Sequence, residues 1–192
     1  MRVLVTGYEP FDERGYNTSS DVLERLPRRF SGMKLFTATL PVVWRRAGGA
    51  IADLVARHRP EVAIALGMSR EAQLGLERIA VNFQTRVRPD NDQQLPRTER
   101  IEASGPPAYF TTLDIDAAHT ALTERRFEST ISGWAGGYLC NFAFYRLAHL
   151  QAQDNGLRQA GFVHVPPRPD DGGWSLERLH DALQCLLEAA ID

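Results

Sequence analysis

What this sequence lacks narrows it first. It has no apolar run long enough to cross a bilayer as a helix. The opening Met1-Arg2-Val3-Leu4-Val5-Thr6-Gly7 is too short an apolar stretch for a secretory signal and reads as a strand. Neither sign of charge dominates: 22 Lys and Arg stand against 24 Asp and Glu, a net of -2, with no long block of one sign. That balance argues against nucleic acid or an anionic membrane as the main partner. Cysteine is scarce. Cys140 and Cys185 are too few for a disulfide framework, and a reducing, cytoplasmic setting is the expectation. There is no internal repeat and no low-complexity segment. Asp90-Asn91-Asp92 has no spaced partners that would make a cation loop, and Gly67 with Gly75 is no phosphate-loop motif. Neither a metal nor a cofactor is expected.

What is present is ordinary for a globular protein: 192 residues, 43% apolar and 24% charged, enough for one domain over 1–192 with a sizeable core. Short apolar runs alternate with helical patterns. Strands are expected at Arg2 to Thr6, Lys34 to Leu40, Glu61 to Gly67, Glu77 to Asn82, Ser129 to Trp134 and Gly161 to Val165. Helices are expected from Thr18-Ser19-Ser20 through Val22, Leu23 and Leu26, at Val43 to His58, Asp114 to Arg126, after Cys140, and from Ser175 to Ala190. The alternation predicts an α/β fold: one three-layer α/β/α domain with a twisted, largely parallel central sheet. Phe83 to Thr112 has little pattern and much Pro, Asp, Asn and Gly. A loop of that length is usually functional or an interface arm.

Cys140 is the most informative residue. Turn-prone residues Ser132-Gly133-Trp134-Ala135-Gly136-Gly137 precede it, and a helical stripe of Leu139, Ala143, Leu147 and Leu150 surrounds and follows it. A thiol in the first turn of a helix meets the positive end of the backbone dipole, which favours the reactive thiolate. A buried free cysteine that packs like a small hydrophobe is the competing reading. A nucleophilic cysteine needs a base. Of five histidines, only His164 lies in an apolar strand, where a core histidine bonded to the backbone would also fit. Glu77 reads equally well as a solvated carboxylate at a strand edge. Spacing does not make these three converge. Cys185, in the last amphipathic helix, reads as packing.

Several ordered segments carry a resemblance: Val5-Thr6-Gly7-Tyr8-Glu9-Pro10-Phe11, Asn17, Glu77-Arg78-Ile79-Ala80-Val81-Asn82, Pro89-Asp90-Asn91, Gly105 to Leu113, Leu139-Cys140-Asn141 and Gly161 to Pro166. In their order and spacing the chain resembles the pyrrolidone carboxyl peptidases, or pyroglutamyl peptidase I, a family of cysteine exopeptidases. The resemblance implies Cys140 as nucleophile, His164 as base and Glu77 as the carboxylate that orients it. It implies Tyr8 and Phe11 as aromatics around a lactam ring, Tyr138 and Leu139 beside the nucleophile, and Asn17 near the same loop. It also implies pyroglutamyl peptides as substrates and self-association as a dimer or tetramer.

The chain departs from the family pattern at three places. Asp12-Glu13-Arg14 stands where the family has glycines, Met68 where it often has a polar residue, and Arg86-Val87-Arg88 where it has Ala-Arg-Ile. Without gaps, the family's arginine falls on Val87 and its apolar pocket residue on Arg88. A one-residue shift in an extended segment reverses a side chain's face. Either Arg86 or Arg88 therefore takes over the arginine's place, or Arg88 makes the pocket more polar, or both face solvent. These departures motivate an alternative, a catalytically altered member that serves as a binding or scaffold protein. Nucleoside or phosphate chemistry on a similar α/β layout is a third reading, by fold analogy alone.

Overall fold

The computed structural model describes residues 1–12, 14–153 and 156–191. Glu13, one of the departures from the family pattern, lies outside them.

A seven-stranded sheet forms the middle layer. Its strands are β1 (Arg2–Tyr8), β2 (Arg29–Phe30), β3 (Met33–Leu40), β4 (Val62–Met68), β5 (Leu74–Glu77), β8 (Ser129–Ser132) and β9 (Gln159–Val165). They lie in the order β2-β3-β1-β4-β9-β5-β8. The pairs β1 with β3, β1 with β4, β4 with β9 and β5 with β8 are parallel. β5 runs antiparallel to β9, and the short β2 closes antiparallel onto β3. β4 and β9 are buried almost throughout, which matches their unbroken apolar runs; a parallel strand covered on both faces has no solvent side to mark with polar residues.

Two hydrophobic layers clamp this sheet. On one face lie α3 (Ile115–Glu124) and α5 (Leu176–Ala190), packed on alternate residues such as Val3, Val5, Ile64 and Val163. Cys185 is buried among them. On the other face lie α2 (Trp44–His58) and α4 (Leu139–Ala152), packed on Leu4, Ala63, Ala65 and Phe162. The fold is therefore the expected three-layer, mostly parallel α/β arrangement. Unlike α2 and α5, α4 buries more than one face: Phe142, Phe144 and Tyr145 are buried along with the predicted stripe of Leu139, Ala143 and Leu147. A helix apolar nearly all round belongs inside. Here α4 is covered by the sheet, by α2 and by a second small sheet of β6 (Ile79–Val81) and β7 (Ala108–Phe110).

Three expectations need correction. The expected strand Glu77 to Asn82 is two strands. Glu77 ends β5 and is buried, while Ile79–Val81 pairs with β7 in the other sheet. β5 itself, Leu74–Glu77, went unnoticed because four residues with one glycine carry little periodicity. The helix expected from Thr18 through Leu26 is only one turn, α1 (Thr18–Asp21), followed by a 3-10 turn at Val22–Arg25. Leu26 is extended because Pro27 follows it.

The long segment after β6 is irregular yet tightly held. Asn82 Oδ1 accepts from the backbone N–H groups of Ile101 and Glu102, each at 2.9 Å, and its amide donates to Glu102 and Gly105 carbonyls. Asn141 of α4 pins the start of the segment by donating to the Val81 and Phe83 carbonyls, both at 2.8 Å. Asp90 is 1% exposed. Its Oδ1 accepts from Asp92 and Gln94 N–H, and its Oδ2 accepts from Trp44 N–H at 2.9 Å. Asp90 thus caps α2 from a distant part of the chain; Val43, the residue just before that helix, offers no side-chain cap.

Candidate active site

The site forms at the carboxyl ends of the central strands β1 and β4, where α4 begins. The register explains its centre. His164 on β9 lies between Gly67 on β4 and Gly75 on β5. Both glycines leave space that a side chain would fill. A Cβ at Gly67 would come within 2.7 Å of Cys140 Sγ and 2.7 Å of the Phe162 ring. A Cβ at Gly75 would come within 3.2 Å of His164 Cβ and 3.4 Å of Glu77 Oε1. The first gap admits the thiol from α4 to the imidazole. The second lets Glu77, opposite Phe162 and diagonal to His164 on the same face, reach across.

Glu77 and His164 meet at 2.7 Å, Nδ1 to Oε1. An ionised carboxylate only accepts, so Nδ1–H donates and the other ring nitrogen faces the thiol. Glu77 is buried, with its side chain 3% exposed against 17% for His164. Its Oε2 has no partner among the described residues. Burial is the largest influence on His164 and disfavours its charged form. The hydrogen bond and charge at Cys140, then those at Glu77, overcome it and push the pKa up from 6.5 to about 10. The imidazole therefore holds a proton at neutral pH, with a sulfur on one side and a carboxylate on the other. Cys140 is the second residue of α4, and Tyr138, just before the helix, is in extended conformation. The first amide hydrogens of α4, in the same turn as Cys140, have no partner within the helix.

Beside the sulfur is a cavity of about 230 Å³. Every residue expected around a ligand lines it: Tyr8, Phe11, Asn17, Met68, Arg88, Tyr138 and Leu139. Tyr8 is buried and donates to the Leu139 carbonyl at 2.5 Å. Burial, then the charge at Cys140, then Tyr138 push its hydroxyl pKa well up, so it remains a donor. Tyr138 donates to the Pro89 carbonyl at 2.9 Å, and its pKa is likewise raised, chiefly by burial. Phe11 lies 5.1 Å from Tyr138, ring to ring. Asn17 both lines the cavity and caps α1. Its Oδ1 accepts from Ser19 N–H at 3.1 Å and Ser19 Oγ–H at 2.7 Å, and its amide donates to the Glu9 carbonyl.

The 86–88 stretch separates into three fates. Val87 is 84% exposed. Arg86 donates to the Pro96 carbonyl. Arg88 turns to the cavity: its guanidinium lies 4.2 Å from the centre of the Phe11 ring and 5.2 Å from that of Tyr138, and it pairs with Asp12 at 3.1 Å. Sequence reasoning missed Gly67, Gly75, Val42, Ala135 and the Asp12 partnership. Glycine inside a strand was a usable signal, because it marks a close approach. The Asp12–Arg88 contact spans 76 positions and left no sequence signal.

An α/β sheet whose interior strands bring together a thiol, a protonated imidazole and a buried carboxylate beside a small cavity defines the class: a cysteine-type hydrolase. Comparison narrows the class. The family model described as pyroglutamyl peptidase matches residues 1–174. The pyrrolidone-carboxylate peptidase of Thermococcus onnurineus is 33% identical, over 100% of this chain and 99% of its own. That of Gloeobacter violaceus is 38% identical, over 88% of this chain and 83% of its own. The structure of a mutant pyrrolidone carboxyl peptidase from Pyrococcus furiosus superposes with a TM-score of 0.94 at 32% identity, covering 99% of this chain and 98% of that one. The pyrrolidone carboxyl peptidase from Thermococcus litoralis gives 0.93 at 30% identity, covering 98% and 92%. The chain belongs to the pyroglutamyl peptidase family. No comparison favours the scaffold alternative or the nucleoside reading. Among the described residues, no helix is long and apolar enough to cross a membrane.

Proposed function

We propose that this chain is a cysteine exopeptidase that removes an N-terminal pyroglutamyl residue from peptides, with Cys140, His164 and Glu77 as its catalytic set. The observation that carries this reading is the pairing of His164 with both Glu77 and Cys140 at the mouth of the cavity. Cys140 sulfur attacks the pyroglutamyl carbonyl carbon, and the carbonyl oxygen takes up the charge. Unpaired amide hydrogens at the start of α4 stabilise that oxyanion. As the tetrahedral intermediate collapses, the C–N bond breaks and imidazolium His164 passes its proton to the leaving amine. The neutral imidazole then takes a proton from water, hydroxide attacks the thioester, and Cys140 leaves as thiolate while His164 is again charged. Glu77 holds the imidazole in the required tautomer and stabilises its charged form.

Pyroglutamate is a neutral lactam without a free amine. Its pocket calls for apolar walls and few polar groups. Phe11, Tyr8, Met68, Tyr138, Leu139 and Asn17 provide that lining. The whole chain, 1–192, acts as one catalytic domain, in the cytoplasm, as a dimer or tetramer. The test is hydrolysis of a chromogenic pyroglutamyl anilide. Wild type turns it over, a thiol-alkylating reagent stops it, and Cys140→Ser is inactive. A wild type with no thiol-dependent turnover overturns the reading.

A further inference from the structure

A lactam ring carries a carbonyl oxygen that must keep a hydrogen-bond donor when it leaves water. Most side chains around the cavity have no donor to offer. The hydroxyls of Tyr8 and Tyr138 are committed to the Leu139 and Pro89 carbonyls. The Asn17 amide spends one of its two N–H groups on the Glu9 carbonyl, and its oxygen is taken by Ser19, which leaves a single neutral donor there. Met68, Phe11 and Leu139 have no polar hydrogen. His164 is engaged by Glu77 and Cys140.

Arg88 has the largest unspent capacity and, with His164 engaged, it is the charged donor of the lining. Of its five N–H donors, only Nη2 has a hydrogen-bond partner among the described residues, Asp12. Its guanidinium lies against the Phe11 and Tyr138 rings where it lines the cavity. Asp12 adopts φ = 63°, a left-handed conformation that glycine takes more readily and that aspartate tolerates. A charged residue is kept at this glycine-favouring position, and its carboxylate grips Arg88.

We infer that Arg88 is the specificity-determining donor to the lactam carbonyl oxygen, and that Asp12 is the positioning residue that holds it over the cavity. The inference rests on the pyroglutamyl peptidase reading. It assigns lactam recognition to a loop-borne cation where an apolar wall would otherwise stand.

The test measures how well 2-pyrrolidone, the bare lactam, protects Cys140 from alkylation by iodoacetamide, alongside turnover of the pyroglutamyl anilide. Arg88→Met keeps the packing on Phe11 but removes the donor. Its alkylation rate without lactam stays that of wild type, while the protection constant and KM rise about 10- to 100-fold, as for loss of a charged hydrogen bond. Asp12→Gly suits the backbone and releases Arg88; KM rises about 2- to 5-fold with kcat retained, the worth of an exposed ion pair. Arg70→Ser, in a neighbouring cavity and without a partner among the described residues, changes neither. Unchanged protection in Arg88→Met overturns the inference while wild-type turnover stands, and an unchanged KM in Asp12→Gly removes Asp12 from it. Absence of wild-type turnover overturns the functional reading instead.

Discussion

The two halves of this site are built differently. Cys140, His164 and Glu77 sit on a helix and two paired strands, and the register of β4, β9 and β5 sets their separations. Phe11, Asp12, Asn17 and Arg88 sit on irregular segments. There, position depends on single side-chain bonds: Asn17 to Glu9 and Ser19, Asn91 to Glu9 and Pro10, Asp90 to Trp44, and Arg88 to Asp12. A hydrogen-bonded ladder moves only as a whole. A loop held by one or two contacts can change residue by residue. The departures from the family pattern at Asp12, Arg88 and Val87 all fall on irregular segments, while the proposed catalytic residues Cys140, His164 and Glu77 all lie on regular elements. Met68 lies between the two halves, at the end of β4.

Substitutions that break the chemical half carry the largest effects. Cys140→Ser lowers kcat/KM for the pyroglutamyl anilide at least ~1,000-fold, because the serine hydroxyl is not ionised by an imidazole that already holds its proton. Circular dichroism of this variant remains that of wild type. Next is Gly67→Ala, whose new methyl would stand 2.7 Å from Cys140 Sγ and from the Phe162 ring. Displacing the sulfur by a fraction of its radius costs about 100-fold in kcat. A fully active Gly67→Ala would mean that the register does not set the nucleophile's position.

Glu77→Gln preserves shape and removes charge. The His164 pKa falls from about 10. The alkaline limb of the kcat/KM profile then moves to lower pH by about 1 unit or more. Stability follows the same proton. In the folded chain His164 is held to about pH 10, against ~6.5 in the unfolded chain, so its contribution is full below ~6.5 and is lost as pH rises toward 10. Urea midpoints of wild type and His164→Gln therefore converge across that window, and a constant difference contradicts the assignment.

The loop half gives smaller changes. Asp90→Ala leaves Trp44 N–H without its cap and loosens the turn next to Arg88. It costs about 1–3 kcal/mol in urea unfolding and raises KM more than it lowers kcat. Val87→Ser, at the exposed position between Arg86 and Arg88, changes stability by less than about 0.5 kcal/mol and leaves KM alone. A large effect there would erase the distinction between Val87 and Arg88.

Much of this fold was legible from the pattern alone. β4, β9, α2 and α5 lie within about two residues of their expected bounds, because long apolar runs and long amphipathic stripes leave few alternatives. β5 and the 3-10 turn at Val22–Arg25 were not legible: four residues carry too little periodicity, and the apolar spacing of Val22, Leu23 and Leu26 does not separate a 3-10 turn from an α-helix. Cys140 stood out in the sequence by its place at a helix start. Its partners did not, since a strand histidine and a strand glutamate each have a commoner explanation. The buried position of Glu77 is a product of pairing, not of its neighbours in sequence.

By itself the sequence determined the layered α/β arrangement, the helix that begins at the thiol and, through ordered segments, the family. Periodicity and turn chemistry are local, and they act within a few residues. Only the tertiary structure decided that Gly67 and Gly75 flank His164, that Glu77 turns inward, and that Arg88 rather than Val87 faces the cavity. Those outcomes depend on which strands become neighbours and on contacts between residues dozens of positions apart, and side-chain space at such contacts exists only once the sheet is assembled.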